Sequence, residues 1–121
     1  MDPVTTIEQL KKEVQQFSER RDWDQYHNAK ELAIGLSTEA GELLDMFRFK
    51  TYSQVDELFQ DPDRREMIED EMADIFFFLL RLAQRYQLDL SGGFLRKMAK
   101  NEEKYPVEMV RGRNEKYSEY Q

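Results

Sequence analysis

The sequence predicts an all-α fold, an antiparallel four-helix bundle that assembles into an oligomer. Helix-forming residues dominate the 121-residue chain, and no segment alternates polar and apolar residues with the period of a strand. Apolar residues instead recur at helical spacing, which gives a helix one buried stripe. The connections between these segments are mostly short, and short connections place successive helices antiparallel in a bundle.

The first helix is predicted from about Thr6 to Arg20. Thr5 and Glu8 match the two ends of a capping box, in which each side chain accepts a hydrogen bond from the other residue's backbone amide. The buried stripe of this helix consists of Ile7, Leu10, Val14 and Phe17. The polar segment RRDWDQYHNAK that follows is predicted as a connector that carries aromatic residues.

The second helix is predicted from about Ala29 to Phe49. Its stretch LSTEAGELLDMF, residues 36–47, combines apolar residues with two acids and a mid-helix glycine. A glycine there costs roughly 1 kcal/mol relative to alanine. We therefore expect a close approach of a neighbouring helix or of the substrate along a stripe of small residues, namely Ala33, Ser37, Ala40 and Gly41.

The third helix is predicted from Asp61-Pro62 to about Tyr86. Asp is a good N-cap and Pro a good first helical residue. The preceding segment, KTYSQVDELFQ, is predicted as a loop with at most a short helical turn. Residues Ile75–Leu80 are apolar on every side, so we expect them to be buried all round. One small monomer can hardly surround such a helix, which predicts a homo-oligomer, at least a dimer and plausibly a tetramer.

The fourth helix is predicted to open at Ser91-Gly-Gly and to end before Pro106. The whole chain, residues 1–121, is expected to be one domain with a core from about 5 to 105. Residues 106–121 form a charged tail, in which Arg111, Arg113, Lys116 and Tyr117 either close over bound phosphates or are simply solvated.

The charge distribution narrows the class of function. The net charge is −7, and residues 1–90 hold 11 Lys and Arg against 20 Asp and Glu. So acidic a surface disfavours non-specific binding to nucleic-acid backbones, whereas a free nucleotide delivered with a divalent metal remains compatible. The chain has no Cys, which excludes disulfides and thiolate metal sites. The start MDPVTTIEQL lacks the features of a secretory signal, and no apolar run is long enough to span a bilayer. We therefore expect a cytoplasmic protein without a membrane partner.

Two pairs of acids carry the candidate chemistry. Glu39 and Glu42 are three residues apart and share one helix face, and so do Glu71 and Asp74. If the two helices pack antiparallel, the four carboxylates converge, and bound Mg²⁺ or Mn²⁺ would relieve their repulsion. The alternative from the residues alone is that these acids are solvated. Zinc is disfavoured by a single histidine, His27, which we assign to hydrogen bonding rather than to a metal.

The acids also carry a family resemblance. Glu39-Ala-Gly-Glu42, 28 intervening residues and Glu71-Met-Ala-Asp74 resemble the E-x-x-E…E-x-x-D motif of the all-α nucleoside triphosphate pyrophosphohydrolases, the MazG-like group. The segments FSERRDWDQYHNAKELA, EAGELLDMFRFK, EMADIFFFLLRLA and KMAKNEEKYP are most similar to the deoxycytidine triphosphate pyrophosphatase branch of that group.

The resemblance implies hydrolysis of a nucleoside triphosphate to the monophosphate and pyrophosphate, with a role in sanitation of the nucleotide pool. It implies that Glu39, Glu42, Glu71 and Asp74 hold Mg²⁺. One of the acids acts as general base; Glu42 is our choice and Glu39 the other candidate. Deoxycytidine triphosphate and its modified forms are the first expected substrates, and non-canonical nucleotides follow.

The resemblance also implies the residues that contact the substrate. Lys97, Asn101, Lys104 and Tyr105 match a segment that contacts phosphates, although a solvated basic face has the same spacing. Trp23 matches an aromatic residue of the base pocket, although it could equally plug the end of the bundle. Phe49 and Phe78 stand where related enzymes have a Trp and a Tyr, and Val14 stands where the animal enzyme has a His. These departures leave the nucleobase open.

Two other functions compete with this one. Ferritin-like di-iron bundles need two Glu-x-x-His motifs, and this chain has none. A non-enzymatic helical oligomerisation module with solvated acidic faces is the main alternative, and it predicts that Mg²⁺ changes neither stability nor activity.

Overall fold

A computed structural model describes residues 1–114, and within this range the chain is helical with no strand, which confirms the all-α prediction. The helices are α1 (Ile7–Arg20), α2 (Ala29–Phe47), α3 (Tyr52–Leu58), α4 (Pro62–Arg85), α5 (Leu90–Lys104) and α6 (Val107–Val110), with a 3₁₀ turn at Asp24–Tyr26. The chain forms two compact units, Met1–Leu88 and Asp89–Gln121. The single-domain expectation stays a prediction. Lys116 and Tyr117 lie outside the described residues.

The observed helix boundaries differ from the predicted ones where capping decides them. The capping box at α1 is formed by Thr6 and Gln9, not by Thr5 and Glu8, so the helix begins at Ile7. α2 ends at Phe47 because Arg48 is extended and Phe49 adopts a left-handed φ of 63°. A second capping box makes α3 a full helix where at most a turn was expected.

The starts of α4 and α5 are fixed by aspartate caps. The Asp61 side chain accepts a hydrogen bond from the backbone amide of Asp63, with Pro62 in the first turn, as predicted. The Asp89 side chain accepts one from the amide of Gly92, so α5 begins at Leu90, one residue before the predicted start. None of the described helices combines the length and apolarity needed to cross a bilayer.

α1 and α2 both run antiparallel to α4 in the first unit. The backbone amide of Ala29, at the start of α2, donates to the hydroxyl of Tyr86, just after the end of α4, at 2.7 Å. The Lys11 ammonium of α1 donates to the carbonyl of Leu88 at 2.6 Å, and the rings of Phe17 and Phe77 pack edge to face at 5.8 Å. α1 and α2 therefore point in the same direction, and the connector between them returns along the bundle.

The close approach of α2 to α4 occurs at Gly35 and not at the predicted stripe of small residues. A Cβ atom on Gly35 would lie 2.4 Å from a ring carbon of Phe78. Ala33, Ser37 and Ala40 are exposed, and a Cβ atom on Gly41 would meet no described atom within 4 Å. Among the described residues nothing approaches Gly41, so the close approach of a helix or of the substrate expected there stays a prediction.

The apolar run of α4 is covered on one side only. Leu80 is buried, Ile75–Phe78 are half-buried and Leu79 is exposed, so burial all round is wrong for a single chain. α1 and α2 cover one side, and the open side forms a groove of about 450 Å³. Apolar residues make up most of its lining, with Leu43, Met72, Ile75, Phe76 and Leu79 among them. The oligomer remains a prediction.

Candidate active site

Three of the four predicted acids converge. Glu39 and Glu42 lie on α2 and Glu71 lies on α4, and one carboxylate oxygen of each lies within 4.8 Å of the other two. The antiparallel packing of the two helices produces this cluster, since it places the middle of α2 against the first half of α4. We refer to these three residues as the acid cluster.

Asp74 lies beside the acid cluster without belonging to the closest group. Its side chain lines a cleft together with Glu39. Its negative charge contributes to raising the pKa of Glu39 and of Glu71. Asp74 is exposed and one helical turn further along α4 than Glu71. Its role as a metal ligand stays a prediction.

The acid cluster is electrostatically unsatisfied in the protein alone. Oε2 of Glu39 and Oε2 of Glu71 are buried and have no hydrogen-bond partner among the described residues. The pKa of Glu39 is raised from its ordinary 4.5 to about 7. Burial is the largest cause, and the hydrogen bond and the negative charge of Glu42 add to it. Burial, followed by the charge of Glu42, also raises the pKa of Glu71. Buried like charges with free oxygens are costly unless a cation joins them.

The donor set fits a hard divalent cation. All its donors are carboxylate oxygens, which Mg²⁺ and Mn²⁺ prefer, and the described residues bring no His or Cys to the cluster. The two buried oxygens without partners are the atoms that such an ion would satisfy. Glu39, Glu42 and Glu71 are therefore the residues that would hold it, with Asp74 adjacent.

An aromatic cleft of about 430 Å³ adjoins the acids. Trp23, from the connector, and Phe78, from α4, both line it, and their role in binding a base stays a prediction. Phe17 and Phe77 complete the aromatic walls, and the ring of Phe17 meets Trp23 edge to face at 5.6 Å. The remaining lining residues are Glu13, Val14, Arg20, Glu39 and Asp74. The lining of the cleft thus combines aromatic rings with carboxylates.

Five of the cleft residues were not predicted as site residues, namely Glu13, Val14, Phe17, Arg20 and Phe77. Phe17 and Val14 were assigned to the buried stripe of α1, and Val14 is indeed buried. The available signal in the sequence was that Val14 and Phe17 lie three residues apart on one face of α1, shortly before Trp23 in the chain. Apolar periodicity does not distinguish a residue that fills the core from one that walls a cleft, so the stripe alone could not identify them.

Phe49 does not line this cleft. Its side chain is 92% exposed and lies in a separate cleft with Lys50, Gln54 and Arg64 among its neighbours. The guanidinium of Arg48 stacks over the Phe49 ring at 4.5 Å. The structure therefore separates Phe49 from Trp23 and Phe78 within the chain, and its role in substrate binding stays a prediction.

The residues predicted to contact phosphates belong to the second unit. Lys97, Asn101 and Lys104 lie on α5, and Tyr105 follows its last residue. The backbone amide of Tyr105 donates to the carbonyl of Asn101 at 2.9 Å, which closes the helix. Lys97 is exposed and Asn101 is half-buried. Their role in phosphate binding stays a prediction.

A cluster of charged residues that the sequence did not reveal holds the connector against α4. Arg81 is completely buried, and its guanidinium pairs with the Asp24 carboxylate and donates from Nε to Nδ1 of His27 at 2.8 Å. Burial, followed by the charge of Arg81, lowers the pKa of His27. His27 therefore serves hydrogen bonding, as expected, and the spacing of Asp24 and His27 reflects an arginine partner rather than a metal.

Comparisons with known proteins found a matching family, similar curated proteins and a similar solved structure. The model of the MazG-like family matches residues 34–120, a range that contains the acid cluster and Asp74. The chain is similar to dCTP pyrophosphatase 1 of Homo sapiens, with 32% identity over 117 residues that cover 97% of this chain and 69% of the human protein. The Bos taurus protein of the same name is 33% identical over 114 residues, 94% of this chain and 68% of the bovine one. The crystal structure of a pyrophosphatase from Archaeoglobus fulgidus superposes with a TM-score of 0.77 and 34% identity, covering 83% of this chain and 92% of that chain.

Proposed function

We propose that this chain, which belongs to the MazG-like family, is a Mg²⁺-dependent nucleoside triphosphate pyrophosphohydrolase that releases the nucleoside monophosphate and pyrophosphate. The observation that carries the proposal is a pair of buried carboxylate oxygens, on Glu39 of α2 and Glu71 of α4, that have no hydrogen-bond partner among the described residues. They lie beside an aromatic cleft of a size suited to a nucleobase.

The acids divide the work according to their burial. Glu39 and Glu71 have the buried free oxygens and are the stronger ligands for Mg²⁺ or Mn²⁺, while Glu42 and Asp74 are exposed. When bound, the ion supplies positive charge for the triphosphate and lowers the pKa of water. The exposed Glu42 is then the residue placed to accept the proton of the attacking water, with Glu39 as the other candidate.

The aromatic cleft would receive the base. Trp23 and Phe78 offer flat apolar surfaces, on which any base stacks. We propose deoxycytidine triphosphate or a modified form of it as the substrate, because the curated relatives are named dCTP pyrophosphatase 1. Lys97, Asn101, Lys104 and Tyr105 are proposed to contact the phosphates, and Phe49 to contact the base.

The chain is also proposed to act as a homo-oligomer, at least a dimer. The support is the apolar groove on the open side of α4, where Leu79 and Met72 are exposed. Light scattering at micromolar concentration tests this: a mass of twice 14.6 kDa or a larger multiple agrees, and a monomer mass contradicts it.

The proposed activity is tested by a screen of product release. Each natural and several 5-modified triphosphates are incubated with the protein, with Mg²⁺ or with EDTA, and pyrophosphate and orthophosphate are measured separately. We expect pyrophosphate release that requires Mg²⁺ and is fastest with deoxycytidine nucleotides. Release of orthophosphate alone, or no release with any nucleotide, would contradict the proposal and favour the non-enzymatic oligomerisation module.

A further inference from the structure

Arg81 is the most deeply buried charged side chain of the described residues, and its contacts lead towards the aromatic cleft. An isolated guanidinium with no exposed surface would be very costly to bury. Its three nitrogens are each occupied: Nε by His27, Nη2 by Asp24 and Nη1 by the side-chain oxygen of Gln84. Two of these three partners belong to the connector between α1 and α2, outside the helix that carries Arg81.

A second arginine extends this attachment. Arg85, one helical turn further along α4, donates to the backbone carbonyls of His27 and Asp24, each at 3.3 Å. The hydroxyl of Tyr86 then accepts from the amide of Ala29. The connector is therefore held along its length by consecutive turns of α4. We refer to Asp24, His27, Arg81 and Arg85 as the arginine bracket.

The arginine bracket borders Trp23 directly. Trp23 precedes Asp24 in the chain, and the centroid of its ring lies 5.9 Å from that of His27 and 5.6 Å from that of Phe17. The bond from Arg81 to Nδ1 of His27 fixes which imidazole nitrogen carries the proton and how the ring is oriented. The indole thus neighbours an aromatic residue of α1 and an imidazole whose orientation is set by α4.

We propose that Arg81 is a positioning residue, which holds Asp24 and His27 so that Trp23 forms a fixed wall of the aromatic cleft. The identity of the ligand that the wall receives rests on the proposed function. The position of the wall does not rest on the proposed function, because it is a property of the nucleotide-free protein. Arg81 itself does not line the cleft, so its effect on a ligand passes through Trp23.

Trp23 is the only tryptophan of the chain, so intrinsic tryptophan fluorescence reports on this wall alone. The test compares Arg81→Lys and Asp24→Asn with the unmodified chain, without nucleotide or metal. Arg81→Lys keeps the charge but loses the planar fork, and Asp24→Asn removes the charge of a partner whose side chain is 43% exposed. The control is Arg65→Lys, an arginine of the same helix whose contact with Glu69, at 3.9 Å, is solvent-exposed.

We expect the emission maximum of both bracket variants to move to longer wavelength and quenching by acrylamide to increase, while Arg65→Lys leaves both unchanged. With deoxycytidine triphosphate and Mg²⁺, we expect KM to rise about five- to tenfold, the size of a weakened stacking contact. kcat should change little, because the acids are untouched and only binding common to the ground and transition states is lost.

Several results would overturn the proposal. Folded bracket variants with unchanged emission and quenching would show that Arg81 does not position Trp23, whatever the protein hydrolyses. Loss of the helical circular-dichroism signal in both variants would contradict it too, since the bracket would then be a requirement of the whole fold. Shifted fluorescence in a protein that hydrolyses no nucleotide would support the positioning role and contradict only the proposed function.

Discussion

α4 carries two clusters of charged side chains, and the two differ in whether the chain itself offsets the cost of burying charge. At Arg81, a buried cation is surrounded by a carboxylate, an imidazole and an amide oxygen, and every guanidinium nitrogen has a partner. At Glu71, ten residues or about 15 Å earlier along the helix, three acids converge and two buried oxygens have none among the described residues. The arginine bracket is complete within the chain, whereas the acid cluster has two buried oxygens that the proposed cation would satisfy. This contrast separates a structural cluster from a functional one.

The largest expected effect concerns the acid cluster. Glu71→Gln should lower the rate of Mg²⁺-dependent pyrophosphate release by on the order of a hundredfold or more, because even the outer partners of metal ligands are typically worth 10- to 100-fold. The matched control is Glu69→Gln, an exposed acid two residues away that contacts Arg65. Steady-state rates of both variants check this. Equal rates in the two variants would show that position within the cluster does not matter.

The second prediction compares how much the arginine bracket and an exposed ion pair contribute to the free energy of unfolding. Asp24→Asn leaves the buried guanidinium of Arg81 without its counter-charge and should lower the free energy of unfolding by about 2–3 kcal/mol. Asp45→Asn removes a pair with Arg48, at 3.1 Å, in which both side chains are more than half exposed. That loss should be below about 1 kcal/mol. Urea denaturation measures both, and a similar cost for the two would contradict the structural role of the bracket.

The third prediction concerns the packing of α2 against α4, which forms the acid cluster. Gly35→Ala would place a methyl group against the Phe78 ring and should destabilise the fold by about 1–3 kcal/mol, because the ring must move. Gly41→Ala has open space around it among the described residues and should stabilise α2 by up to about 1 kcal/mol. Thermal denaturation of monodisperse samples checks the signs. A destabilising Gly41→Ala would instead reveal a contact with a second chain.

The fourth and smallest effect is a pH dependence of the metal-free protein. The pKa of Glu39 is about 7 in the folded chain and near its ordinary 4.5 when unfolded. Between these values the folded chain binds more protons, so the free energy of unfolding should fall as pH rises from about 4.5 to 7 and then level off. Glu39→Gln should weaken this fall, and Mg²⁺ should oppose it. Urea midpoints at pH 5 and pH 8 in EDTA test this; identical falls in both proteins would exclude Glu39 as a cause.

The sequence was informative at several positions where local chemistry decides the structure, although it misplaced the capping box of α1 by one residue and missed that of α3. The cap at Asp61, the all-helical fold and the face shared by Glu39 and Glu42 all follow from spacing and residue type. To predict that Glu42 and Glu71 converge, only one further assumption was needed, namely that their two helices pack antiparallel. These features depend on neighbours along the chain or on one helix pair.

Features that depend on distant contacts were not predictable in the same way. Arg81 directly follows the apolar run of α4, and nothing local indicates that Asp24 and His27 reach it from 54 residues away or more. The choice between Gly35 and Gly41 as the point of close approach depends on which face of α2 meets α4. Phe49 leaves the helix because its backbone adopts a positive φ, a result of the turn that follows.

Direct measurement of metal binding tests the central claim, that the acid cluster is a cation site completed from outside the chain. Mn²⁺ is titrated into the nucleotide-free protein and the free ion is counted by electron paramagnetic resonance. Our account predicts that the unmodified chain and Glu69→Gln bind Mn²⁺ alike, and that Glu71→Gln loses this binding. Retention of the same binding by Glu71→Gln, or its absence from the unmodified chain, would contradict the account.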